Sequence, residues 1–356
     1  MLISKTKILS NLKKVLWATA LVGLVICGVI AYQIYTAIFS PNTAFQNEEA
    51  FVYIPTDATF QDVQAQLMPL VQDISTFEAV AQRKGYSTNI KGGKYAIKKG
   101  MNNNEMINTL RSANIPVKVS FNNQETIEDL SGRIAQQIEA DSTELVTVLK
   151  DEAYLKEKGL DTHNFITPFL PNTYEFFWNT SAEAFRERMY KEYDRFWNQE
   201  RKAKAAKLKM TPAEVASLAA IVQKESAKPD ERPRVAGVYL NRLRKGMPLQ
   251  ADPTVIFAIK KETGNYDTII KRVLYRDLEI DSPYNTYKYP GVPPGPITMP
   301  DISSLEAVLN AEKHDYLYFV ANVKNFGYHI FASSLSQHNR NKVQYIEWLN
   351  QQKIRR

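Results

Sequence analysis

Glu225 stands where a carboxylate is out of place. Thr211, Pro212 and Glu214 open a helix with a hydroxyl N-cap, a proline in the first turn and a capping-box glutamate. Val215, Leu218, Ala219 and Val222 then recur at i, i+3, i+4 and i+7, which defines one buried stripe. Glu225 follows Leu218 by seven positions and so lies within about 20° of its direction at 3.6 residues per turn. An apolar face ends in an acid. Loss of water along that face and the negative end of the helix dipole both raise the pKa of such a group. A carboxyl still protonated near neutral pH is a general acid. On the helix alone, the competing reading is an exposed glutamate at a fraying end, satisfied by Lys224 or Lys228.

Other chemistries find little support. Of four histidines, His163 and His314 stand alone, and His329 and His338 lack the spacing of a zinc-binding helix, so no metal is expected. No Gly-x-Ser-x-Gly elbow and no glycine-rich phosphate loop after a strand occurs. A two-carboxylate glycosidase needs a second acid across the scissile bond, and Asp252 is the nearby candidate.

The segments around Glu225 have a specific order: LAAIVQKES (218–226), ERPRVAGVYLNRL (231–243), GMPLQADPT (246–254), SPYNTY (282–287) and GVPPGPI (291–297). This order and spacing resembles the YceG-like family of endolytic murein transglycosylases, from about Phe169 to the C-terminus and more weakly before it. The resemblance implies that Glu225 is catalytic, that the substrate is the glycan of peptidoglycan, and that no cofactor is needed. In the family's reaction one glutamic acid protonates the glycosidic oxygen. As carboxylate it then takes the proton of the same sugar's C6 hydroxyl, which closes onto C1. The product is a 1,6-anhydro sugar and water is not consumed. An intramolecular nucleophile carries a high effective molarity, so one acid/base residue suffices. Two departures are visible. Gln223 replaces an acid common in the family, but points away from the Glu225 stripe. Asn172, in FLPNTY (169–174), replaces an aspartate whose role cannot be carried over.

With a sugar as substrate, the residues nearby acquire candidate roles. Asp252 precedes Pro253 and is read first as a helix N-cap with proline at N1, and second as a direct substrate contact. Gln250 has no such structural duty and is a candidate for a sugar hydroxyl. The segment 282–300 is dense in proline, glycine and tyrosine, a loop stiff enough to pack. Tyrosine rings offer stacking area and a phenol, so Tyr284, Asn285, Thr286 and Tyr287 are the candidate cleft wall.

The first forty residues set the compartment. Lys5, Lys7, Lys13 and Lys14 precede an uncharged run from Val15 to Phe39, long enough to span a bilayer. The charge asymmetry predicts a cytoplasmic tail (1–14) and a signal anchor (15–39), with everything beyond outside the cytoplasm and the bacterial inner membrane as host. A cleaved signal peptide is disfavoured by the length of the run and the lack of a small-x-small site. Ile26 before Cys27 excludes a lipoprotein. Cys27 is the sole cysteine, so the exported part has no disulfide.

The remaining chain is predicted to be α+β. Phe51–Ile54 and Gly92–Ile97 read as strands, each leading to a helix, and Tyr95–Gly100 with its following helix resembles the LysM-like module that many family members carry beside the membrane, placed at 46–115. That module either holds glycan or only spaces the rest from the membrane. A third strand and helix, Val117–Phe121 and Ile127–Ile138, fall in a connecting region (116–163). The catalytic domain is placed at 164–356, with Trp178, Phe185, Tyr190, Tyr193, Phe196 and Trp197 on core helices and a hairpin turning at Gly327. The net charge of +7 is spread out, and no nucleic-acid module interleaves it with aromatics. The leading expectation is a membrane-anchored lytic transglycosylase that cleaves between MurNAc and GlcNAc and ends nascent strands, with synthases as partners. The alternative is a non-catalytic scaffold that binds peptidoglycan and recruits the synthesis machinery. A scaffold has no reason to keep a partly buried acid at Glu225.

Overall fold

A computed structural model describes residues 2–351. Residue 1 of the expected tail and residues 352–356 of the expected catalytic domain lie outside the described residues. The chain is mixed α+β and divides into two compact units. One runs to Val117 with Glu175–Asn179, and the other comprises Lys118–Tyr174 and Thr180 onward. From Lys118, the expected connecting region belongs to the second unit.

The first unit begins with α1 (Leu2–Phe39). Its segment Asn11–Phe39 has a mean hydropathy of 2.3 and is long and apolar enough to cross a membrane. The strand β1 (Glu49–Ile54) is followed by α2 (Phe60–Leu67), α3 (Ile74–Arg83), β2 (Gly93–Lys98) and α4 (Asn103–Ser112). β1 and β2 pair antiparallel, with Val52 opposite Tyr95. Capping boxes start α2 at Thr59–Asp62 and α4 at Asn102–Glu105. Val52, Ile54, Phe77, Tyr86, Tyr95 and Met106 fill the core. The last turn of α1 belongs to this unit. Ile38 packs on the core, and buried Asn103 donates to the carbonyl of Ala37 across 2.8 Å.

The second unit is largely helical. β3 (Pro116–Phe121) pairs with β4 (Asn172–Phe177), and between them lie α5 (Ile127–Ala135), α6 (Ser142–Leu149) and α7 (Glu152–Glu157). After them come α8 (Ala182–Phe196), α9 (Gln199–Lys207), α10 (Pro212–Glu225), α11 (Arg232–Arg244), α12 (Asp252–Thr263) and α13 (Ile302–Leu309). A hairpin of β5 (Tyr318–Ala321) and β6 (His329–Ala332) precedes α14 (Leu335–Gln351). Trp178 departs from the expected core helices: it follows β4, in the first unit, with its ring 5.3 Å from that of Tyr53.

α10 is the central element. The expected stripe is buried, and so are Ala216, Ser217, Ala220 and Ile221 on the other faces. Helices α9, α11, α12 and α13 all pack against it. Its start follows the reading from sequence, with Thr211 accepting from the Glu214 amide and Glu214 from the Thr211 amide. A helix enclosed this way holds its last residue firmly, which matters for what that residue does.

Candidate active site

Glu225 is the last residue of α10, and the turn after it is tied down at both polar atoms of Ser226. The Ser226 hydroxyl donates to Glu231 across 3.0 Å, and Arg232 donates to the Ser226 carbonyl across 3.0 Å. Arg232 is itself buried and pairs with Asp301 at 2.9 Å. Gln223, one residue past Val222, accepts from the Asp301 amide at 2.7 Å. It faces α13, as its angular position on the helix requires. Glu231 also accepts the His329 amide at 2.7 Å, and its carboxylate lies 2.8 Å from His329 Nδ1. None of these positioning contacts was legible before the fold brought α11, α13 and β6 together.

The Glu225 side chain is partly buried and takes one hydrogen bond, from the Tyr239 phenol to Oε1 at 2.9 Å. Its Oε2 has no hydrogen-bond partner among the described residues. Neither lysine proposed for an exposed glutamate serves it. Lys224 bonds Glu125 at 2.7 Å, and Lys228 lies over the Tyr328 ring. Burial pushes the Glu225 carboxyl up to about 7, opposed by the Tyr239 hydrogen bond, helped by the negative charge of Asp252 and opposed by Arg242. The carboxyl is thus poised between acid and base at neutral pH.

Glu225 opens on a cavity of about 390 Å³. The structure brings Gln250, Asp252 and Tyr287 to that cavity with it. Gln250 sits at a φ of +53°, a left-handed conformation uncommon for a side-chain-bearing residue. Its amide nitrogen donates to the Thr286 carbonyl at 3.1 Å. Asp252 is not the N-cap of α12. Ala251 occupies that position without a side-chain cap, and Asp252 is the first helical residue. Its carboxylate instead accepts from the Tyr287 phenol at 2.5 Å.

The rest of the expected cleft wall lies elsewhere. Tyr284 is buried against Phe257, with ring centroids 4.8 Å apart, and its phenol donates to the His163 carbonyl. Asn285 is wholly buried and donates to the carbonyls of Leu278 and Ile280 at 2.8 and 2.9 Å. Thr286 is buried too, accepting the Ala251 amide at 3.0 Å and lying 2.8 Å from the Thr254 hydroxyl. These three hold the loop and the start of α12. They thereby set Asp252 and Tyr287 without meeting the cavity.

Sequence reasoning missed other residues of the cavity. Arg242, Tyr318, His338 and Lys342 line it. Arg242 is buried, donating to the carbonyls of Leu317 and Leu249 at 2.7 Å each. In the sequence it stood only as part of the 231–243 segment, with no role assigned. The His338 ring stacks on Tyr318 at 5.2 Å, and burial lowers its pKa below the usual imidazole value.

The YceG-like family model matches residues 52–344. The endolytic murein transglycosylase of Bacillus subtilis strain 168 is 32% identical over 299 residues, which cover 79% of this chain and 80% of that protein. The endolytic murein transglycosylase of Streptococcus pneumoniae strain D39 is 27% identical over 349 residues, or 90% of this chain, and the chain spans 62% of that longer protein. A crystal structure of a yceG-like protein from Listeria monocytogenes superimposes with a TM-score of 0.54 at 29% identity, over 83% of this chain and 99% of that one.

Proposed function

The chain belongs to the YceG-like family, and on that footing we propose that it is a membrane-anchored lytic transglycosylase that cuts peptidoglycan glycan strands internally. The names of its relatives from Bacillus and Streptococcus support the reaction class. The observation that carries the site is the carboxyl of Glu225, held by Tyr239, facing a cavity and raised to about 7. Protonated Glu225 gives its proton to the oxygen between MurNAc and GlcNAc, and the bond from C1 to that oxygen breaks. The carboxylate left behind removes the proton of the C6 hydroxyl of the same MurNAc as that oxygen bonds to C1. The strand end is a 1,6-anhydro sugar and Glu225 is again protonated. Gln250, Asp252 and Tyr287 position the sugars, with Tyr287 holding the Asp252 carboxylate toward the cavity.

α1 anchors the enzyme in the cytoplasmic membrane with the catalytic unit outside, where cleavage ends nascent strands beside the synthases. The order β1–α2–α3–β2, two helices between paired strands, supports a LysM-like first unit that holds glycan or sets its height. Mass spectrometry of products from defined glycan strands tests the reading. Anhydro ends from the wild type and none from Glu225→Gln are expected. Reducing ends instead would make the enzyme a hydrolase with Asp252 as second carboxylate. Binding without cleavage would make the protein a scaffold.

A further inference from the structure

The cavity at Glu225 is lined by charges of both signs that form no ion pair with one another among the described residues. Glu225 and Asp252 line it together with Arg242 and Lys342. Among the described residues Arg242 has no carboxylate within ion-pairing distance. Its hydrogen bonds go to backbone carbonyls and, at 3.4 Å, to Gln250 Oε1. Lys342 makes neither an ion pair nor a hydrogen bond among the described residues. A buried guanidinium without a counter-ion is costly. Part of its use is electrostatic, since Arg242 favours the ionised form of Glu225. Lys342 lines the same cavity with its charge unpaired among the described residues. It stands one helical turn beyond His338, on the same face of α14, so that the flat His338–Tyr318 pair is bracketed by two cations. Neutral sugars call for matched donors and acceptors, not for uncompensated positive charge.

We propose that Arg242 and Lys342 form an anion-binding wall that takes the carboxylates of the peptide branch carried by the muramic sugar at the scissile bond. The enzyme then favours branches with free carboxylates over branches whose carboxylates are amidated. This deepens the transglycosylase reading and rests on it for the identity of the substrate. The sugars between branches carry no charge, so the branch is the group that presents carboxylates to this wall. Lys342 at the mouth contributes orientation and capture, and Arg242 further in contributes a fixed guanidinium whose Nη2 has no hydrogen-bond partner among the described residues.

The test uses the full chain in detergent with two defined substrates free of phosphodiester polymers: strands with peptide branches, and the same strands with the branch carboxylates amidated. We expect the wild type to favour free carboxylates over amidated branches about fivefold in kcat/KM, the size of a partly screened ion pair. Lys342→Ala should bring that ratio close to one, Lys342→Arg should keep it, and raised salt should erase it. Equal kcat/KM on the two substrates, or an unchanged ratio in Lys342→Ala, overturns the proposal. Binding to the Glu225→Gln chain is measured in parallel. A preference for free carboxylates in binding, with no anhydro ends from the wild type, removes the transglycosylase reading and sustains the wall. Anhydro ends with no preference in either measurement do the reverse.

Discussion

The phenol of Tyr239 donates to Glu225 Oε1 across 2.9 Å, joining the middle of α11 to the last residue of α10. Both residues are held from behind, Glu225 by the enclosed helix and Tyr239 by its place in the core. The contact works against burial. It stabilises the carboxylate and so pulls the pKa down from where desolvation alone would leave it. In the proposed reaction, where Glu225 acts as acid and then as base, this balance makes neither protonation state too stable to leave. The donor also fixes which oxygen is occupied, leaving Oε2 without a hydrogen-bond partner among the described residues.

The balance has a direct kinetic signature. The basic limb of the kcat/KM profile should fall near pH 7, as Glu225 loses its proton. Tyr239→Phe removes a donor to the carboxylate and should move that limb to higher pH. Asp252→Asn removes a negative charge that opposes ionisation and should move it to lower pH. Rates against pH for the three proteins check this, and movement of both limbs in the same direction would contradict the assignment.

Glu225→Gln should lower the release of anhydro ends at least about 10²-fold, the contribution of a general acid–base group. The same change should stabilise the fold. With an unperturbed value of 4.5 and a folded value of about 7, the native state binds more protons than the unfolded chain between those limits. Stability conferred by the protonated acid is therefore full below pH 4.5 and lost as pH rises through 7. Denaturant melts should show Glu225→Gln more stable than wild type above pH 7, by roughly 1–3 kcal/mol, and equal to it near pH 4. A variant destabilised at pH 8 would mean that Glu225 carries a structural ion pair.

The acid was legible from sequence because helical periodicity is a strong signal. A residue seven positions beyond Leu218 has to share its direction, whatever the rest of the chain does. The loop 282–287 offered no period. Type alone named Tyr284, Asn285, Thr286 and Tyr287, and type does not tell a tyrosine that lines a cleft from one that fills a core. Arg242 was hidden for another reason. Its burial depends on the Leu317 carbonyl, which only the hairpin brings to α11. β4 escaped because FLPNTY was read as a motif, although Tyr174 and Phe176 alternate inward as a strand requires.

That division of the loop is open to measurement. Asn285→Ala leaves the carbonyls of Leu278 and Ile280 without their donor and should cost about 1–3 kcal/mol in stability. Tyr287→Phe removes only the phenol that holds Asp252 and should stay within about 1 kcal/mol of wild type. Its turnover should nevertheless fall, with the pH profile altered through Asp252. Equal stability losses in the two variants would return Tyr287 to the core.

The membrane helix gives the last prediction. Lys13 and Lys14 open the apolar segment of α1, and the first unit receives the helix at its other end through Ile38 and the Asn103–Ala37 bond. A segment of 29 residues rises about 43 Å, longer than a hydrocarbon core of about 30 Å. The helix can therefore cross and still deliver its final turn to the folded unit. Basic residues on the near side favour an N-terminus that stays inside. Reporter enzymes fused after Asn47 and after the C-terminus should both be active only when exported. A cytoplasmic signal from the C-terminal fusion would place Glu225 on the side of the membrane where no cross-linked wall exists, and the proposed function would fall with it.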